Sequence, residues 1–243
     1  MDMLSYTGSL GEASIALFSP TSRNKRGSSM SARLVTVSIA LALIASAGPA
    51  NAHPHVWVAV RSEVLFSPDG KINGVRHAWT FDEMYSAFAV QGLGKDGKPP
   101  TPQELAPLAK TNVESLAEFE YFTFAKQDKA KVAFKEPTDV TLEADAQKIV
   151  TLRFTLPLET PASPQKPFSF QVYDPTYFVS FSLEKRNPVA LDHAPPGCSV
   201  SLVEPKPLLS TETQKLSEAF FQNFSPGADF GVKLATRSIV ACP

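Results

Sequence analysis

Two histidines separated by one proline, His53-Pro54-His55, follow directly on Ala50-Asn51-Ala52. An A-x-A triplet is the small-residue pattern after which a signal peptidase cuts, and a cut after Ala52 makes His53 the first residue of the processed chain. That end carries a free α-amine and two imidazoles within three residues, three nitrogen donors suited to a transition metal ion. Pro54 narrows the binding mode. The amino-terminal copper and nickel motif needs a backbone N–H at residue two, and a proline nitrogen has no proton to lose. What remains is a chelate of the α-amine with the His53 side chain. His55 is then a third donor about 6–7 Å away on the same face of an extended chain. The opposing reading is a frayed end whose histidines contact only water.

Carboxylates that could complete such a set must be brought to that end by the fold. From Val56 to Phe66, valines alternate with Trp57, Arg61 and Glu63; Val75, His77, Trp79 and Phe81 alternate again after Ser67-Pro68-Asp69-Gly70-Lys71. Period-two patterning on either side of turn residues predicts a β-hairpin. Centring the turn between Asp69 and Gly70 sets Glu63 opposite Arg76, a favourable cross-strand pair. In that register Asp82 faces Trp57 and shares the polar face with His53 and His55. The alternative role for Asp82 is to cap a short helix within Asp82–Leu93. His77 falls on the apolar face opposite Ser62, roughly 23 Å along the ladder from His55, and reads as a core histidine satisfied by a hydrogen bond. Asp174, in Tyr173-Asp174-Pro175-Thr176-Tyr177, is a second candidate carboxylate, against the alternative of an Asx turn. His53, His55, Asp82 and Asp174 together suit Zn²⁺, Ni²⁺, Co²⁺ or Cu²⁺ better than Ca²⁺ or Mg²⁺. Uptake should weaken below about pH 6.5, where imidazoles protonate.

The remaining elements frame this end. Thr101-Pro102-Gln103-Glu104 is a capping box with proline at the first helical position, and Leu105, Leu108, Ala109, Val113 and Leu116 follow at helical spacing. Alternating segments at 119–125, 131–134, 139–143, 149–156, 168–173 and 177–183 read as strands with antiparallel connections. The stretch 157–167 reads as a surface loop or short linker. Residues 210–224 regain helical spacing, and Ser225-Pro226-Gly227 ends it. The expected class is α+β, a mainly antiparallel sheet with two or three packed helices.

Composition bounds the rest. Arg23, Lys25, Arg26 and Arg33 precede the uncharged apolar run Leu34–Ala47, the layout of a secretory leader. A run of about 14 residues falls short of the roughly 20 needed to cross a bilayer. Starting at Met30 in place of Met1 would leave the same leader. We therefore expect residues 1–52 to be an extension and cleaved signal, and 53–243 to be a single periplasmic domain. Removing 52 of 243 residues leaves 191, with 19 basic and 22 acidic side chains. That balance carries no footprint for nucleic acid. Seventeen phenylalanines are explained by core packing. An exported chain meets an oxidising compartment, so Cys198 and Cys242 are expected to form one disulfide. Closing a loop of about 45 residues would contribute on the order of 4 kcal/mol. There is no G-x-S-x-G, Walker, G-x-G-x-x-G or H-E-x-x-H motif, and the expectation is a binding protein, not an enzyme.

Three segments, His53-Pro54-His55-Val56-Trp57-Val58, Trp79-Thr80-Phe81-Asp82-Glu83-Met84-Tyr85-Ser86 and Tyr173-Asp174-Pro175-Thr176-Tyr177-Phe178, resemble in their order a bacterial family of unknown function. That family is usually described as the periplasmic component of an uncharacterised ABC-type transport system and is associated with nickel, cobalt or zinc transporters. The resemblance spans the mature chain and implies metal handling beside an inner-membrane metal transporter. In that family an acidic residue often stands where Ala59 or Ser180 stands here; if those acids are ligands, the resemblance implies a site that is incomplete or altered in specificity. Two other readings stay open. An amine-plus-imidazole brace is also how copper oxygenases activate oxygen, and a non-metal solute-binding or interaction module of the envelope fits the same composition.

Overall fold

Apolar and polar residues alternating on either side of a five-residue turn build an antiparallel pair, β1 (Val56–Phe66) and β2 (Ile72–Phe81). The computed structural model describes residues 54–222 and 230–243, which all belong to one compact unit. The leader, its cut site, His53 and the Ser225-Pro226-Gly227 stop lie outside the described residues. The hairpin register is the expected one. Glu63 lies opposite Arg76 and His77 opposite Ser62, with one slip at Phe66, which pairs with Ile72. Arg76 Nη1 lies 2.7 Å from Glu63 Oε2.

The next elements are α1 (Glu83–Ala89), α2 (Pro102–Leu116), β3 (Thr123–Gln127), β4 (Ala130–Val132), β5 (Thr138–Ala144), β6 (Val150–Ala162) and β7 (Phe168–Val172). After them come β8 (Val179–Leu183), β9 (Val189–Asp192), β10 (Ser199–Val203), α3 (Ser210–Gln222) and β11 (Arg237–Ala241). The first sheet runs β5-β6-β2-β1-β8, with β9 also on β1; the second runs β10-β11-β7-β3-β4. The class is α+β, as expected, but β8 and β9 pair with β1 in parallel. They act as one interrupted strand. Glu184 N donates to Val60 O (2.9 Å) and Ser62 N to Pro188 O (2.8 Å), carrying the ladder across the break.

The inner faces of the two sheets meet over the core. Val58, Val60, Val75, Trp79, Phe154 and Leu156 face Phe168, Phe170, Val172 and Val240, all buried. Each such side chain contributes roughly 1.5–3 kcal/mol through burial. The capping box of α2 is complete: Thr101 N donates to Glu104 Oε2 (2.8 Å) and Glu104 N to Thr101 Oγ1 (3.3 Å). Leu105, Ala109 and Val113 bury its inner stripe, and the helix lies against β5. Cys198 and Cys242 are bonded (S–S 2.05 Å), closing the end of the β10–β11 pair. No helix among the described residues is long and apolar enough to cross a membrane.

Two further expectations need correction. Residues 119–122 do not belong to a strand. Glu120, Tyr121 and Phe122 take φ of 51°, 52° and 47°, three successive left-handed residues. Such a turn costs roughly 1–2 kcal/mol per residue. It is offset by the Phe119–Phe122 stack, a Lys131–Glu120 ion pair and a bond from Tyr173 N to Phe122 O (3.0 Å). Residues 157–162 are strand, not loop. Lys135 N donates to Pro157 O (2.8 Å) and Glu159 N to Ala133 O (2.9 Å), so Pro157 needs no N–H of its own in the ladder. Strands β9, β10 and β11 add to the expected set.

His77 rivets the two sheets. Ser62 Oγ lies 2.9 Å from Nδ1, and Thr123 Oγ1, on the second sheet, 3.3 Å from Nε2. Complete burial pushes the imidazole down to about 3 from 6.5, so the native protein keeps it neutral while the unfolded chain takes up a proton below pH 6.5. The stability this burial permits is present above pH 6.5 and drains as pH falls toward 3. Between pH 7 and 5, urea melts should show the wild type losing about 2 kcal/mol more than His77→Gln. Equal losses in the two proteins would contradict this.

Candidate functional site

The start of β1 lies between β2 and β8, and both neighbours grip it. On the β8 side, His55 N donates to Phe178 O (2.9 Å), and the ladder continues with Val56 opposite Val179 and Trp57 opposite Ser180. On the β2 side, Asp82 N donates to Trp57 O (3.0 Å) and Trp57 N to Asp82 Oδ2 (2.8 Å). The aspartate thus closes the ladder with its side chain. Its other oxygen, Oδ1, accepts from Tyr85 N (2.9 Å) and caps α1. Asp82 faces Trp57, as the register placed it, and its side chain caps the helix. Each oxygen accepts one backbone N–H, and an ionised carboxylate has about four lone-pair sites. Capacity for a further partner remains on both.

Alternation places His55, Trp57 and Ala59 on one face of β1, the face that carries Arg61 and Glu63 away from the core. Pro54 is buried and His55 is exposed. The His55 ring lies 4.6 Å from that of Phe178. Trp57 is 48% exposed and Phe178 47%, so two aromatic side chains stand beside the imidazole. Ala59 lies opposite Thr80 and Ser182. Ala59 and Ser180 therefore share the patch with His55 and Asp82.

Asp174 is in different surroundings. It is 4% exposed, and its carboxylate is occupied by its own loop. Oδ1 accepts from Thr176 N and Thr176 Oγ1, both at 2.8 Å, and Oδ2 from Val179 N (3.0 Å). It lines a small space with Val179, Phe181 and Gly231, on the inner side of β8, whereas Ser180 faces outward. The local structure is an Asx turn that launches β8 parallel to β1. Gly231 is indispensable to it. A Cβ built there would sit 1.8 Å from Asp174 O.

His193 is a surface residue, 2.8 Å from Asp192 Oδ1 with its side chain 82% exposed. Among the described residues no group of three or more His, Cys, Asp and Glu side chains is arranged to hold a metal ion. His55 and Asp82 are brought to one end of the sheet, Asp174 is turned inward, and His53 lies outside the described residues. Phe178 and Gly231 were not singled out from the sequence. Phe178 lies in the 177–183 segment, but its bond to His55 N joins residues far apart in the chain, and the contact of Gly231 with Asp174 spans 57 residues that no local pattern connects.

The arrangement defines a two-sheet α+β protein stapled by one disulfide, with an exposed His/Trp/Asp patch at the start of its central hairpin. Residues 38–242 match the family described as "Protein of unknown function (DUF1007)", and the chain belongs to it. It is 25% identical over 209 residues to an "Uncharacterized protein" of Haemophilus influenzae, covering 85% of this chain and 98% of that one. It is also 34% identical over 104 residues to an "Uncharacterized 15.5 kDa protein in trpE 3'region" of Spirochaeta aurantia, covering 42% of this chain and 69% of that one.

Asp82→Ala removes a helix cap and a ladder bond at once and should lower stability by about 1–2 kcal/mol in urea melts. Gly231→Ala, which drives a methyl into a carbonyl oxygen, should cost about 2 kcal/mol or more. A Gly231→Ala protein as stable as wild type would overturn the packing described.

Proposed function

We propose that the chain, cut after Ala52, is a periplasmic binding protein for a divalent transition metal ion, Zn²⁺, Ni²⁺ or Co²⁺, and assists an inner-membrane metal transporter. The ligands are the His53 amine and imidazole, the His55 imidazole and Asp82. Asp174 serves the same end indirectly, by holding the turn that grips His55.

The observation that carries this reading is the anchoring of residues 54 and 55. Pro54 is buried and His55 N is bonded to Phe178 O at 2.9 Å. An amine freed one residue earlier is tethered by one Cα step of about 3.8 Å. A pair of nitrogens from the terminus would meet His55 and a carboxylate that retains lone pairs. Amine, imidazole and carboxylate donors suit Zn²⁺, Ni²⁺ and Co²⁺. Exposure of the patch favours exchange of the ion with a partner over permanent retention. The link to an inner-membrane transporter rests on the family resemblance of the three segments.

Equilibrium dialysis of the processed protein against Zn²⁺, Ni²⁺ and Co²⁺ should give one ion per chain at pH 7.5, with the affinity reduced about ten-fold or more in His55→Ala and in Asp82→Ala. Absence of stoichiometric binding to any of the three ions would refute the proposal.

A further inference from the structure

The second sheet has an outward face with a different chemistry. Register sets Lys126 of β3 beside Ser169 of β7, and Phe124 beside Gln171. Arg237 opens β11 one residue before Ser238, which pairs with Phe170, so Arg237 comes level with Gln171 and, by alternation, points outward with it. A groove of about 300 Å³ opens among Lys126, Lys129, Arg237, Ser169, Phe124 and Tyr173.

Lys126, Lys129 and Arg237 form no ion pair among the described residues. Asp128 is the one acid among the described residues lining the groove, and it lies 3.8 Å from Lys166. Three cations therefore border one concave surface in a chain whose formal net charge is −1. Their mutual repulsion is relieved when an anion enters. The aromatic wall is preformed: Phe124 and Tyr173 stack with centroids 4.3 Å apart at 26°.

We propose that this groove binds a small organic anion in which a phosphate or carboxylate is attached to an aromatic ring. Arg237 presents a planar fork that matches two oxygens of either group, and the two lysines supply further charge without fixed direction. The Ser169 hydroxyl, which lines the same groove, supplies a further donor. The ring of the ligand lies against the Phe124–Tyr173 pair, where offset or edge contacts are favourable. The volume suits a compact ligand, at the lower end of small-molecule sites. This site lies on the other sheet from the His55/Asp82 patch and does not depend on the metal reading.

Calorimetric titration of the processed chain with phenyl phosphate and with inorganic phosphate tests it. Phenyl phosphate should bind at one site, about ten-fold or more tighter than inorganic phosphate, and Arg237→Ala or Lys126→Ala should weaken it about ten-fold or more. Lys126→Arg should retain binding, and Phe124→Ala should narrow the preference for phenyl phosphate. Equal affinity for the two phosphates, wild-type affinity in Arg237→Ala and Lys126→Ala, or no saturable binding of phenyl phosphate would overturn the proposal.

Discussion

Pairing of β1 on both edges is the constraint from which the rest of the structure follows. One edge is antiparallel to β2, the other parallel to β8 and β9, so the strand is a central one although it opens the domain. A strand paired on one side only would leave its N–H and C=O groups for water along the other edge. Here the ladder runs to His55, and a carboxylate replaces a strand partner where β2 ends. The side chains at this end are consequently held by backbone bonds that do not involve them. His55 and Trp57 are exposed on a fixed base, which suits them for meeting a ligand.

Two aspartates with the same chemistry have been given different tasks by their surroundings. Asp174 is buried and accepts three hydrogen bonds from its own loop, so its charge is compensated locally and a further partner has little room. Asp82 sits at the junction of two strands and a helix with one backbone N–H on each oxygen. It stands beside Trp57 at the start of β1. His77 makes the same point among the histidines. Its ring nitrogens are committed to Ser62 and Thr123 and its charge is excluded by burial, whereas His55 stands at the surface.

Much of this was legible in the sequence because local rules and tertiary demands agreed. Alternation across Val56–Phe81 settled the hairpin register, and with it the partners of Glu63, His77 and Asp82. The Thr101–Glu104 capping box marked the start of α2 because both halves of the box lie within one turn. What escaped reading depends on distant partners. β9, β10 and β11 are four or five residues long and become strands only through neighbours far along the chain, one of them in parallel. The left-handed Glu120–Phe122 turn contradicts residue preference and exists because Tyr173, Phe119 and Lys131 hold it. Pro157 suggested a loop, yet its carbonyl is the group the ladder uses. For the candidate site, register brought Asp82 to His55, while the inward turn of Asp174 is set by Thr176, Val179 and the bare backbone of Gly231.

In the proposed function, an amino terminus created by cutting after Ala52 would bind a metal ion beside the anchored start of β1. Electron paramagnetic resonance of the Cu²⁺ complex tests this most directly, comparing protein that begins at His53 with protein carrying Ala52 as one extra residue. Hyperfine structure from amine and imidazole nitrogens is expected in the first and its loss or replacement in the second. Identical spectra from the two, or spectra indistinguishable from copper in buffer, would contradict it.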